Sequence, residues 1–87
     1  MRAPLSISAD FEADAYEITY RRLPSGRFID HDERIAPGVT AGIGPNGQIF
    51  GIELLGLDAA TVAAARDYAT IHGLAFPQHI EGLRSAG

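Results

Sequence analysis

Asp30-His31-Asp32-Glu33 is the run whose residue types come nearest to a chemical site. In extended backbone successive side chains point to opposite faces, so Asp30 shares a face with Asp32 and His31 shares the other with Glu33. An imidazole beside a carboxylate can begin a metal site or an acid/base pair. Each face supplies only two such groups, however, and a metal would need ligands from elsewhere, such as His72 or His79. The simpler reading of the run is a solvated edge strand whose charges discourage another chain from pairing with it.

Asp10, Glu12 and Asp14 form a second acidic set. Paired carboxylates hydrolyse bonds when a pocket drives their pKa values apart, whereas these sit in a tight reversal, where aspartates accept hydrogen bonds from nearby backbone amides. Arg21, Arg22 and Arg27 flank a loop and can meet an anion or a partner's carboxylates. No glycine-rich nest or helix start adjoins them, which favours a salt-linked surface. His72 falls in the last turn of an expected helix, where an imidazolium interacts favourably with the helix dipole. Ser6, Ser8 and Ser25 lack a nucleophile elbow, and Gly42-Ile43-Gly44 precedes a hairpin turn and not a helix, so it is no dinucleotide loop. No catalytic, cofactor-binding or metal-binding residue is assigned.

The elements that position these groups are short. Leu5, Ile7 and Ala9 alternate with Ser6, Ser8 and Asp10, and after the Phe11-Glu12-Ala13-Asp14 turn Tyr16, Ile18 and Tyr20 alternate with Glu17, Thr19 and Arg21, predicting a hairpin. Pro24-Ser25-Gly26 makes the next turn, and a third strand runs from Phe28 to Ile35. Val39, Ala41 and Ile43 make a fourth. Pro45-Asn46-Gly47 reads as a type I turn closed by a left-handed glycine. Ile49, Phe50, Ile52, Leu54 and Leu55 form the most apolar strand, placed centrally or beneath the helix, with Gly51 marking a bulge or a close approach.

Asp58 caps a helix from Ala59 to His72 that Gly73 ends, and Leu57, Thr61, Ala64, Tyr68 and Ile71 form its expected apolar stripe, with Val62 and Ala65 at the margin. Phe76, Ile80 and Leu83 follow in a tail and need a surface to cover. The expectation is a single α+β domain: a five-stranded antiparallel β-meander over residues 5–56, one C-terminal helix over 58–73 packed on a face of the sheet, and a tail over 74–87.

Composition agrees with a folded chain and narrows its partners. Of 87 residues, 46% are apolar and 21% charged, enough to bury and too little charge for a disordered segment. A domain this small buries only about 60 to 65% of its unfolded surface, so self-association is a natural source of added stability. The net charge of −4 argues against nucleic acid as a partner. All seven basic residues are arginine, which with the many alanines and glycines suggests a GC-rich bacterial genome. The absence of cysteine excludes disulfides, thiolate zinc sites and cysteine nucleophiles. Met1-Arg2-Ala3-Pro4 leads into no apolar leader and no run approaches a membrane span, so a cytoplasmic location is expected.

Asp10 with Glu12-Ala13-Asp14-Ala15, and Gly38-Val39 with Asn46-Gly47-Gln48-Ile49-Phe50-Gly51-Ile52-Glu53-Leu54, resemble a small bacterial family catalogued as domain of unknown function 2283. The likeness spans Ile7 to Leu55. It departs at Tyr16, where the family more often has an aliphatic residue, and at Ala41-Gly42-Ile43-Gly44, which replaces a more acidic strand end. The resemblance implies a compact β-rich domain with a C-terminal helix, no catalytic residues and, since such proteins are similar to those encoded beside toxin-like partners, an antitoxin-like role. The function expected from the sequence is a non-catalytic module that forms a homo-oligomer or binds a small protein partner. The alternative is a metal- or small-ligand-binding hydrolytic domain using His31 and nearby carboxylates.

Overall fold

The computed structural model describes residues 1–23 and 31–83. Five antiparallel strands, β1 (Ser6–Asp10), β2 (Ala15–Thr19), β3 (His31–Ala36), β4 (Val39–Ile43) and β5 (Ile49–Leu55), form one open sheet, and a single helix, α1 (Ala59–Ile71), packs on one face of it. The fold is α+β, as expected. Of the third strand's expected span, Phe28, Ile29 and Asp30 lie outside the described residues.

The spatial order is β1-β2-β5-β4-β3. Two local units build it. The β1–β2 hairpin turns through Asp14, whose φ is 52, and the Asp10 side chain accepts the Ala13 N–H at 3.2 Å. The β3-β4-β5 meander turns first through Pro37 and Gly38, the latter at φ 79, as a type II turn requires. It turns again through Gly44–Gly47, closed by the Gly47 N–H donating to the Gly44 carbonyl at 3.0 Å with Gly47 at φ 80. Pairing of β2 with β5 joins the units and makes β5 the central strand.

Alternation assigns the faces. Ile18 lies opposite Ile52 and Ile52 opposite Ala41, and all three are fully buried under the helix side. Tyr16, Leu54 and Val39 make the next buried row. A register shift between Gly42 and Ile43 pairs Ile43 with Ile49 and leaves Phe50 as the extra residue of β5. Ile49 therefore joins the core with Ile43, while Phe50 lines a shallow pocket beside Thr19 and Arg21. Gly51 permits close approach: a Cβ there would stand 3.0 Å from the Ile18 carbonyl oxygen.

In α1 the buried residues are Thr61, Val62, Ala65 and Ala69, so the helix is rotated from the expected stripe and Ile71 is 79% exposed. The small side chains of Ala65 and Ala69 let the helix settle closely on the sheet, and Tyr68 falls at the margin toward β3. Asp58 caps the helix, accepting the Thr61 N–H at 3.2 Å and the Thr61 hydroxyl at 2.7 Å; these bonds, the hydroxyl first, hold its carboxyl below the usual range. At the other end Leu74 N–H reaches the Ala69 carbonyl and Gly73 N–H the Thr70 carbonyl, a Schellman closure with Gly73 at φ 71. No atom crowds a Cβ at Gly73. Gly73→Ala is therefore expected to destabilise by about 1 kcal/mol through backbone conformation alone, with Gly73→Asn milder, read as ordered melting temperatures.

The tail belongs to this chain's own core: Leu74 and Ile80 are buried, and Phe76 and Leu83 pack against the cluster. Arg2 pairs with Leu74 in a parallel bridge, and its guanidinium Nε donates to the Tyr20 carbonyl at 3.1 Å. The Tyr20 hydroxyl donates to the Ala75 carbonyl at 2.8 Å, tying sheet, N-terminus and tail together.

Candidate interaction surface

The sheet divides the acidic run as its alternation requires. Glu33 lies opposite Ala41 and His31 opposite Ile43, both on the helix side, whereas Asp32 lies opposite Gly42 on the bare face. His31 Nε2 and a Glu33 oxygen are 4.0 Å apart with both side chains more than half exposed. Glu33 also acts on Tyr68, whose phenol is pushed up first by burial and then by that carboxylate. The Tyr68 and His72 ring centroids lie 4.3 Å apart with the rings tilted by 46°, a packing role for His72 at the helix end. His79 is exposed on the tail. Among the described residues no three His, Cys, Asp or Glu side chains are grouped so as to hold a metal ion. Asp14 accepts the Tyr16 hydroxyl at 2.9 Å, so the acidic turn acts structurally. Arg21 and Arg22 lie beside Glu17 at a shallow pocket, and Arg27 is outside the described residues.

The face away from the helix carries two in-register rows. One runs Ser8, Glu17, Glu53, Thr40, Arg34 and the other Ser6, Thr19, Gly51, Gly42, Asp32. Gly42 and Gly51 floor a trough of about 260 Å³ walled by Glu17, Glu53, Thr40 and Asp32. Glu17 and Glu53 stand directly opposite each other, an arrangement that costs stability on a sheet. The trough is shallow and its carboxylates are exposed to water, so it offers no desolvated place for a reaction.

The two sheet edges differ in kind. β3 devotes four of its six positions to His31, Asp32, Glu33 and Arg34 and carries a register shift between Arg34 and Ala36, both devices that discourage a further strand. β1 has neither. All five of its residues are exposed, its register with β2 is unbroken, and its one charged residue is the terminal Asp10.

Because α1 contacts β3, β4 and β5, the helix side of β1 is left uncovered. Leu5 is 51% exposed, Ile7 41% and Phe11 52%, an apolar line along an edge that no other strand pairs among the described residues. Phe11 is held by an edge-to-face contact with Tyr16, and Leu5 N–H donates to the Thr19 carbonyl at 2.7 Å, so the line is anchored at both ends.

In the sequence the charged third strand stands out and this one does not. Ile7 looks like a core residue in the alternation, and only its place at the end of the strand order, away from the helix, exposes it. No family model, curated protein or solved structure matches the chain. No helix among the described residues is long and apolar enough to cross a membrane.

Proposed function

We propose that this protein is a non-catalytic interaction module that binds an extended protein segment by strand addition at β1. The observation that carries the reading is the contrast between the edges: β3 is charged and bulged, while β1 presents unpaired backbone beside exposed Leu5, Ile7 and Phe11. In strand addition main-chain hydrogen bonds supply affinity and alternate side chains supply selectivity. The partner's chemistry follows: a strand with apolar residues at every second position and small polar residues between them. A bacterial, cytoplasmic setting belongs to this proposal, as does a protein partner in preference to nucleic acid, given the net charge of −4. The antitoxin-like or partner-binding role that the resemblance to domain of unknown function 2283 suggests accords with it, since such a role calls for binding without chemistry.

The test is titration of the isotope-labelled chain, dilute enough to be monomeric, with a synthetic peptide copying Pro4 to Glu12. Saturable amide shifts concentrated on β1, with a Kd between roughly 10 µM and 1 mM, are expected. A peptide carrying Ala9→Pro, which lacks one of the backbone donors turned toward the junction, binds more weakly. An absence of shifts, or shifts centred on β3, would overturn the reading.

A further inference from the structure

Resting on that reading, we infer that the strand received by β1 is the β1 of a second copy, antiparallel, about a two-fold axis through Ser8. Residues directly opposite in an antiparallel pair share a face, so the helix-side line of one copy must meet that of the other, which confines the pairing to registers centred on a residue. Of these, only the one centred on Ser8 pairs all five residues of Ser6–Asp10.

That register is self-complementary. Leu5 meets the second copy's Phe11 and Ile7 meets Ala9 on the helix side, while Ser6 meets Asp10 and Ser8 meets Ser8 on the bare face. Three half-exposed apolar side chains from each copy are covered at once. The carboxylates of the two Asp10 residues fall four strand positions apart, about 13 Å, beyond the Debye length of about 8 Å at physiological ionic strength. A hydroxyl stands opposite each carboxylate. With the axis perpendicular to the sheet, the strands continue as one ten-stranded sheet with both helices on the same side. Each helix lies over β3, β4 and β5, clear of the junction.

Such a junction buries on the order of 1,000 Å² in total, the low end of specific interfaces. The dimer is accordingly reversible, with a Kd on the order of 10 µM.

The lack of native cysteine makes the register directly readable, because a single introduced cysteine can form a disulfide only between chains. Cross-strand Cα separations of about 4.5 to 5.5 Å fall within disulfide range. In the full chain under mild oxidant, Ser8→Cys is expected to cross-link at least about tenfold faster than Ser6→Cys or Asp10→Cys alone. An equal mixture of Ser6→Cys and Asp10→Cys chains, in which about half of the dimers bring the two cysteines face to face, is expected to cross-link at about half the Ser8→Cys rate, a second readout that does not depend on substitution at the axis. Sedimentation of the unmodified chain from roughly 1 µM to 1 mM is expected to pass from monomer to dimer.

A chain that stays monomeric throughout, or a dimer that cross-links equally at all three positions, overturns the inference. The peptide titration separates that failure from failure of the strand-addition reading. A chain that binds the segment yet does not dimerise keeps the reading and loses the second copy, whereas one that dimerises in another register keeps both the edge and the copy and loses the axis.

Discussion

Tyr20→Ala is expected to leave much of the population unfolded in mild denaturant. Tyr20 is fully buried, and its hydroxyl holds the Ala75 carbonyl, so one side chain fastens the tail to the sheet. Truncating a buried aromatic costs about 3 to 5 kcal/mol, against a total of roughly 4 to 13 kcal/mol for a domain of this length. Tyr20→Phe keeps the ring and loses the hydrogen bond, leaving the Ala75 carbonyl without that donor, a cost of about 1 kcal/mol.

The same phenol makes stability fall in alkali. Burial pushes the Tyr20 hydroxyl up from 10.0 to about 12. The unfolded chain thus releases this proton first, and the contribution is complete below pH 10 and lost as pH rises toward 12. Two pKa units correspond to about 3 kcal/mol. Urea unfolding at stepped pH is expected to show this decline in the native chain and a smaller one in Tyr20→Phe. Tyr68, also raised by burial, leaves a residual slope. Identical alkaline curves for the two proteins would contradict the assignment.

Ile52→Ala is the other change of this size. Ile52 sits on the central strand with Ile18 on one side and Ala41 on the other, fully buried beneath the helix side. Its neighbours across the sheet belong to two flanking strands and cannot both collapse into the space left behind, so a loss of about 3 to 4 kcal/mol is expected, with Ile52→Val near 1 kcal/mol. Ile7→Ala deletes the same atoms in the same in-register row at the edge, where 41% of the residue is exposed. There the cost to the isolated chain is expected below about 1 kcal/mol. Urea midpoints for the three variants, measured on dilute protein, test the ordering. Equal costs at positions 7 and 52 would mean that β1 is covered in the monomer.

Much of the architecture was legible residue by residue because its causes are local. Alternation marked the strands, Pro45-Asn46-Gly47 marked a turn, and Asp58 and Gly73 marked the helix ends. Each of these signals acts within a few residues of itself. The helix stripe was less legible, since a segment so rich in alanine has several nearly equivalent apolar faces. Contact with the sheet selects the one through Thr61, Ala65 and Ala69 and leaves Ile71 exposed. The candidate surface was hardest to see. The charged run at Asp30 to Glu33 draws attention by its composition, whereas Leu5 and Ile7 resemble ordinary core residues and Phe11 reads as part of a turn.

What the amino-acid order determines by itself is the inventory: five short strands, their reversals, one capped helix, and a split of His31 and Glu33 from Asp32 across the sheet. Only the tertiary structure decides that β5 inserts beside β2, which makes β1 and β3 the edges and carries the helix away from β1. The physical reason is that this pairing is non-local. Its favourable free energy comes from burying Ile18 against Ile52 across more than thirty residues of chain, and neither segment carries that term until the other is in place.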